Sequence, residues 1–127
     1  MNAVDVRSAA AGLPDAWRSL LLGRVRSTGV KVLRMDGRAL APESHDAAEA
    51  LLVVDGTLRL VADGAEVDVR AGEMYVVEAG VEHAVRPGSH GTLVIVEDTP
   101  NAAPKVAEVP EVPEVPEVRR AASDRSR

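Results

Sequence analysis

Cysteine is absent from the 127 residues, which excludes disulfides, zinc–thiolate sites, iron–sulfur clusters and thiol catalysis. Phenylalanine is absent too, and Trp17 and Tyr75 are the only large aromatic side chains. A core must therefore be assembled from Val, Leu, Ile, Ala and Met. No apolar run approaches the roughly 18 residues needed to span a bilayer. The N-terminus lacks a basic head followed by an apolar stretch and a small-residue cleavage site. These absences lead to the expectation of a cytoplasmic protein without a membrane partner. A basic surplus is also missing, since the formal net charge is −5. Residues 101–127 carry five basic and five acidic side chains, so the deficit belongs to residues 1–100, with ten basic against fifteen acidic. Phosphate binding needs a basic footprint, and nucleic acid is not an expected partner.

The length suits one domain. All ten glycines lie at or before Gly91, whereas five of the eight prolines lie at or after Pro100. This shift divides the chain into an N-terminal cap and arm (1–29), a folded barrel (30–99) and a tail (100–127). The tail repeats Glu-Val-Pro from Glu108 to Pro116 and ends the pattern with Glu117-Val118. Proline at every third residue removes amide donors that a helix or sheet would use, and a polyproline II helix shares the period of three. Disorder is expected there, with a docking peptide or stiff spacer as the functional alternative.

Strand signals dominate the rest. Asp-Gly stands at 36–37, 55–56 and 63–64, each time between apolar-rich runs, and favours tight hairpin turns. Between Thr57 and Arg70, Leu58, Leu60, Val67 and Val69 alternate with polar residues, as one buried face requires. Further strands are predicted at Val30–Met35, Arg38–Ala41, Leu51–Val54, Met74–Val77, His83–Arg86 and Thr92–Val96. Turns about every 8 to 12 residues indicate an all-β sandwich or small antiparallel barrel. Only residues 3–11 and 15–22 look helical, and the N-terminal piece is expected to cap one end of the barrel or an exposed edge. Trp17 is expected to anchor that segment on the barrel.

The three histidines are His45, His83 and His90. Gly37, Glu43, His45, Glu49 and Gly56 follow the spacing G-x5-H-x-H-x3-E-x6-G, with Glu43 in place of the first histidine. Gly72, Gly80 and His83 follow G-x5-P-x-G-x2-H-x3-N, with Glu78 and Pro87 in place of proline and asparagine. The two segments, separated by a hairpin, resemble the paired motifs of the cupin superfamily, and of its small single-domain bacterial members in particular. That resemblance implies a jelly-roll barrel and a homodimer. It also implies a divalent metal held by Glu43, His45, Glu49 and His83.

Independently, Glu43 and His45 are two apart and would share one face of a strand. Imidazoles and carboxylates together suit Mn, Fe, Ni or Zn, and a second carboxylate shifts preference towards Mn(II) or Fe(II) over Cu. Open positions on such a metal suit dioxygenase, isomerase, lyase or cyclase chemistry on a small organic molecule. In that reading Glu43 is a fourth ligand or general base, and Tyr75 is a candidate acid–base group, with packing as its alternative role. Glu73 shares the strand phase of Tyr75 and is weighed in the same way. The replaced histidine leaves open a metal-free, ligand-binding or sensor protein, and the tail leaves open an adaptor. His90, between Ser89 and Gly91, reads as an exposed loop residue, and Glu82 as outward-facing. With so few aromatic rings, the cavity favours a small aliphatic or polar ligand.

Overall fold

The computed structural model describes residues 2–98. Met1 and residues 99–127, including the Glu-Val-Pro segment expected to be disordered, lie outside the described residues. One helix, α1 (Val6–Ala11), precedes eight strands. In chain order they are β1 (Leu20–Val25), β2 (Thr28–Asp36), β3 (Leu40–Glu43), β4 (Glu49–Ala62), β5 (Ala65–Arg70), β6 (Met74–Val77), β7 (His83–Val85) and β8 (His90–Asp98).

Every strand pairing among the described residues is antiparallel. The long strand β4 belongs to two sheets. Its first residues lie between β6 and β8, and β8 continues the sheet to β2 and β1. Its last residues lie between β5 and β7, with β3 beyond β7. The result is an open jelly-roll barrel, an all-β fold with one short N-terminal helix.

Side-chain alternation explains why the sheets stack. Leu33 and Met35 of β2, Leu51 and Val53 of β4, and Leu93 and Ile95 of β8 turn inward. They meet Leu58, Leu60 and Val69, so one continuous apolar core fills the space between the sheets. The opposite phase of the same three strands is apolar as well. Val32 and Val94 there are covered by Ala10 of α1, with Val6 and Ala9 beside it. The helix thus lies on the outer face of a sheet, not at a barrel end or edge. Asp5 caps its start by accepting from the Ser8 N–H at 3.1 Å, and the Gly12 N–H closes its end on the Ser8 carbonyl at 3.0 Å.

Two sequence expectations are corrected. Residues 15–22 are not helical: Leu20 opens β1, and the sheet begins ten residues ahead of the expected barrel start. Asp55-Gly56 does not end a strand. It lies within β4 directly after a bulge at Val54, where the register to β8 shifts and the strand passes from one sheet to the other. By contrast Asp63 (φ 52°) and Gly64 (φ 79°) form the expected two-residue turn of the β4–β5 hairpin. Gly37 carries the chain between sheets, since β2 and β3 have different partners.

Trp17 does anchor the N-terminal segment. Its backbone N–H donates to the Arg34 carbonyl at 2.9 Å, its indole Nε1 donates to Asp36 Oδ1 at 2.8 Å, and its ring packs on the core. Burial opposes ionisation of Asp36, but hydrogen bonds from Arg38 and Trp17 outweigh it and hold the carboxyl below its ordinary value. Trp17→Phe keeps a ring and removes the indole donor, so urea denaturation is expected to show a loss of about 1 kcal/mol.

Candidate metal centre

Four side chains named by the sequence converge at the inner mouth of the barrel. Glu43 is the last residue of β3 and lies directly opposite His83, the first residue of β7. Glu49 is the first residue of β4, on the inward phase with Leu51 and Val53, opposite Val77 of β6. His45 is not on a strand with Glu43 but in the connection that follows β3. Its backbone carbonyl accepts from the Gly80 N–H at 2.8 Å, which ties the first histidine segment to the second.

Donor atoms of Glu43, His45 and His83 all lie within 4.8 Å of one another. Glu49 completes the group: its Oε2 is 3.1 Å from His83 Nε2 and 3.7 Å from His45 Nε2. Glu43 Oε2 is 3.8 Å from His45 Nε2, and the two imidazole rings stand 5.2 Å apart at 54°. Glu49 and His83 are buried, whereas His45 and Glu43 are partly open to solvent.

The imidazole of His83 is aimed by its backbone surroundings. Nδ1 sits 3.0 Å from the Val81 carbonyl, an acceptor that requires Nδ1 to carry the proton and turns Nε2 towards Glu49. Metal-binding imidazoles are commonly held this way, with one nitrogen donating to a carbonyl and the other presented to the ion. Without an ion, Nε2 is free to take a second proton, which the surroundings favour. Burial alone would lower the His83 pKa, but the hydrogen bond and charge of Glu49, the Val81 carbonyl and the charge of Glu43 outweigh it and raise the value above the ordinary 6.5.

The sign of the pH dependence follows from that shift. A raised folded-state pKa contributes stability that is fully present below the unfolded value, about 6.5, and is lost as pH rises through the folded value. In thermal melts, chelator-treated protein is expected to lose stability from about pH 6.5 upward. A His83→Gln variant is expected to show a flatter profile over that range.

The remaining candidates are placed elsewhere. Tyr75 is opposite Leu51 on the inward face of β6 and packs on the core. One same-face step along β6, about 7 Å, separates it from Val77 and the pairing with Glu49. Its position borders an open cleft of about 390 Å³ lined also by Val67, Asp68, Val69, Glu73 and Met74. Glu73 is exposed, and its Oε1 accepts from the Arg70 N–H at 2.8 Å, closing the β5–β6 turn. Glu82 is exposed as expected. His90 is exposed but opens β8 instead of lying in a loop.

Two inward-facing residues were missed by sequence reasoning. Glu97 of β8 is the register partner of Glu49, and its Oε1 is 3.0 Å from Lys31 Nζ of β2. Lys31 and Glu97 share the phase of the core residues Leu33 and Ile95, so the available signal was charge on an apolar phase.

Comparison with known proteins agrees with this architecture. No curated protein matches the chain. A cupin-2 domain protein from Shewanella frigidimarina superposes with a TM-score of 0.69 at 23% identity, over 76% of this chain and 94% of that one. A protein from Neisseria meningitidis superposes with a TM-score of 0.67 at 22% identity, over 77% of this chain and 100% of that one. A salicylate 1,2-dioxygenase from Pseudaminobacter salicylatoxidans gives 0.55 at 19% identity, over 60% of this chain and 22% of that one. At these identities the likeness is one of fold. The cupin domain model matches residues 32–97, more than half of the chain and a span holding both histidine segments, and the chain therefore belongs to the cupin domain family.

Proposed function

We propose that Glu43, His45, Glu49 and His83 hold one divalent metal ion, and that the protein acts on a small organic molecule bound beside it. The observation that carries this reading is the aim of the two imidazoles. Both Nε2 atoms face the same Glu49 oxygen, at 3.1 and 3.7 Å, and the other nitrogen of His83 is occupied by a backbone carbonyl. Two imidazoles with carboxylates fit Mn(II), Fe(II), Ni(II) or Zn(II), and the carboxylate share favours the harder ions Mn(II) and Fe(II). When bound, such an ion supplies Lewis acidity and open positions for an oxygen-bearing ligand.

The protein's own groups divide the remaining work. Glu49 and His83, both buried, fix the inner wall and exclude water from it. Glu43 stands at the more open side, with about a third of its side chain exposed, where its carboxylate can accept a proton from a bound molecule. Tyr75, one same-face step further along β6, borders the space for the rest of the ligand. With Trp17 and Tyr75 as the only large aromatic rings in the sequence, the site suits a small aliphatic or polar compound.

Elemental analysis tests the metal assignment. Protein incubated with each of Mn(II), Fe(II), Ni(II) and Zn(II), then desalted, is expected to retain close to one equivalent of at least one ion. The His45→Ala/His83→Ala double variant is expected to retain none. A folded wild-type protein that retains none of the four would instead be a metal-free ligand-binding barrel.

A further inference from the structure

The inward face beside the metal centre holds a second charged pair whose presence the four ligands do not explain. Glu49 and Glu97 are register partners in adjacent strands, on the same buried face. Like charges placed opposite each other in a sheet repel. Lys31 resolves the conflict from the next strand, where its Nζ lies 3.0 Å from Glu97 Oε1. The side chains of Lys31 and Glu97 are only 20% and 15% exposed, so both charges are held inside the mouth and not in bulk water. Gly29 is the register partner of Glu97 in β2, and the position its Cβ would take is bordered by the Leu21 and Arg24 side chains.

Charge counting shows what Lys31 changes. With a divalent ion bound and both imidazoles neutral, Glu43, Glu49 and Glu97 contribute three negative charges, and the ion and Lys31 contribute three positive ones. The charges of these groups cancel. Without Lys31 they would sum to a net negative charge and repel an anion in a region where water screens poorly.

We infer that Lys31 is a specificity-determining residue that admits a small organic anion, a carboxylate-bearing molecule, to the metal centre. One oxygen of the ligand meets the ion while its carboxylate lies towards the Lys31 ammonium. Glu97 holds the lysine side chain in the mouth and limits its pull. This inference rests on the metal reading above and narrows its substrate class.

Calorimetric titration of Mn(II)-loaded protein with malonate, and with its uncharged diamide malonamide, tests it. Wild-type protein is expected to bind malonate at least tenfold more tightly than malonamide. Lys31→Met is expected to weaken malonate at least tenfold while Mn(II) affinity stays within about threefold, and Lys31→Arg is expected to restore most of the loss. Glu97→Gln keeps the lysine and removes a negative charge, so it is expected to tighten malonate binding severalfold. This opposite sign separates charge recognition from damage to the fold. Equal malonate affinity in wild-type and Lys31→Met protein, both holding Mn(II), would overturn the inference and leave the metal reading intact. So would wild-type protein that holds Mn(II) yet does not prefer malonate, or Glu97→Gln protein that binds malonate no more tightly. Wild-type protein that takes up no ion would remove both.

Discussion

His83→Ala is expected to lower divalent-metal affinity by about a hundredfold or more, and to destabilise the metal-free protein as well. Loss of a residue that merely orients a ligand typically costs 10- to 100-fold in affinity, and His83 is assigned a direct bond. The reason for the second effect is local. Glu49 is buried, and His83 Nε2 is its nearest imidazole, at 3.1 Å. Truncating His83 weakens the compensation of that carboxylate inside the barrel, and breaking a buried charge pair commonly costs about 3–5 kcal/mol. His45 Nε2, at 3.7 Å, remains and keeps the loss towards the lower end. His90→Ala provides the contrast, because His90 is exposed and its ring Nδ1 lies 3.1 Å from the carbonyl of Gly88, two residues back. Titration calorimetry and chemical denaturation of both variants check the pair of effects. Metal affinity in His83→Ala equal to that in His90→Ala would remove His83 from the centre.

The largest effect on folding is expected from Gly56→Ala. Two residues past the Val54 bulge where β4 changes sheets, Gly56 lies opposite Gly91 of β8, and the two backbones approach too closely for a side chain on either. A Cβ at Gly56 would stand 1.9 Å from the His90 carbonyl oxygen, and one at Gly91 would stand 2.1 Å from the Asp55 carbonyl oxygen. Both φ angles are positive, +81° and +110°. Backbone atoms cannot rotate away as a side-chain tip can, so the strands must separate at the point that joins the sheets. A loss of about 4 kcal/mol or more is expected, at the severe end for single substitutions. Gly64→Ala isolates the conformational part. Gly64 has nearly the same φ, +79°, but open space around its Cβ position, and its expected cost is about 1–2 kcal/mol. Equal urea midpoints for the two variants would show that the strands do not cross this closely.

Much of the fold was legible because the informative patterns are local. Strand β6 begins and ends where alternation and flanking turns placed it, and the Asp63-Gly64 hairpin follows from residues that tolerate positive φ. The errors arose where a distant partner decides. Leu20-Leu21-Leu22 has no period of its own, and pairing with β2 makes it a strand. Asp55-Gly56 carries the same local signal as a hairpin turn, but pairing with Thr92 and Gly91 keeps it within β4. The candidate centre was legible in membership but not in construction. Glu43 and His45 were expected to meet through strand parity. Instead Glu43 ends a strand opposite His83, and the Gly80 N–H holds the His45 backbone in the following connection. Glu97 becomes the partner of Glu49, and Lys31 the partner of Glu97, only through the β2–β8–β4 arrangement, which neither histidine segment encodes.

The convergence of four side chains on one ion is the claim on which the functional reading rests. A crystal structure of Mn(II)-soaked protein, with anomalous data collected on the manganese edge, measures it directly. The account predicts one strong peak in the barrel mouth, bonded to His45 Nε2, His83 Nε2 and Glu49 at about 2.0–2.3 Å, with Glu43 on its open side. Diffraction from soaked crystals with no peak there, or a peak bound only by surface carboxylates, would contradict it.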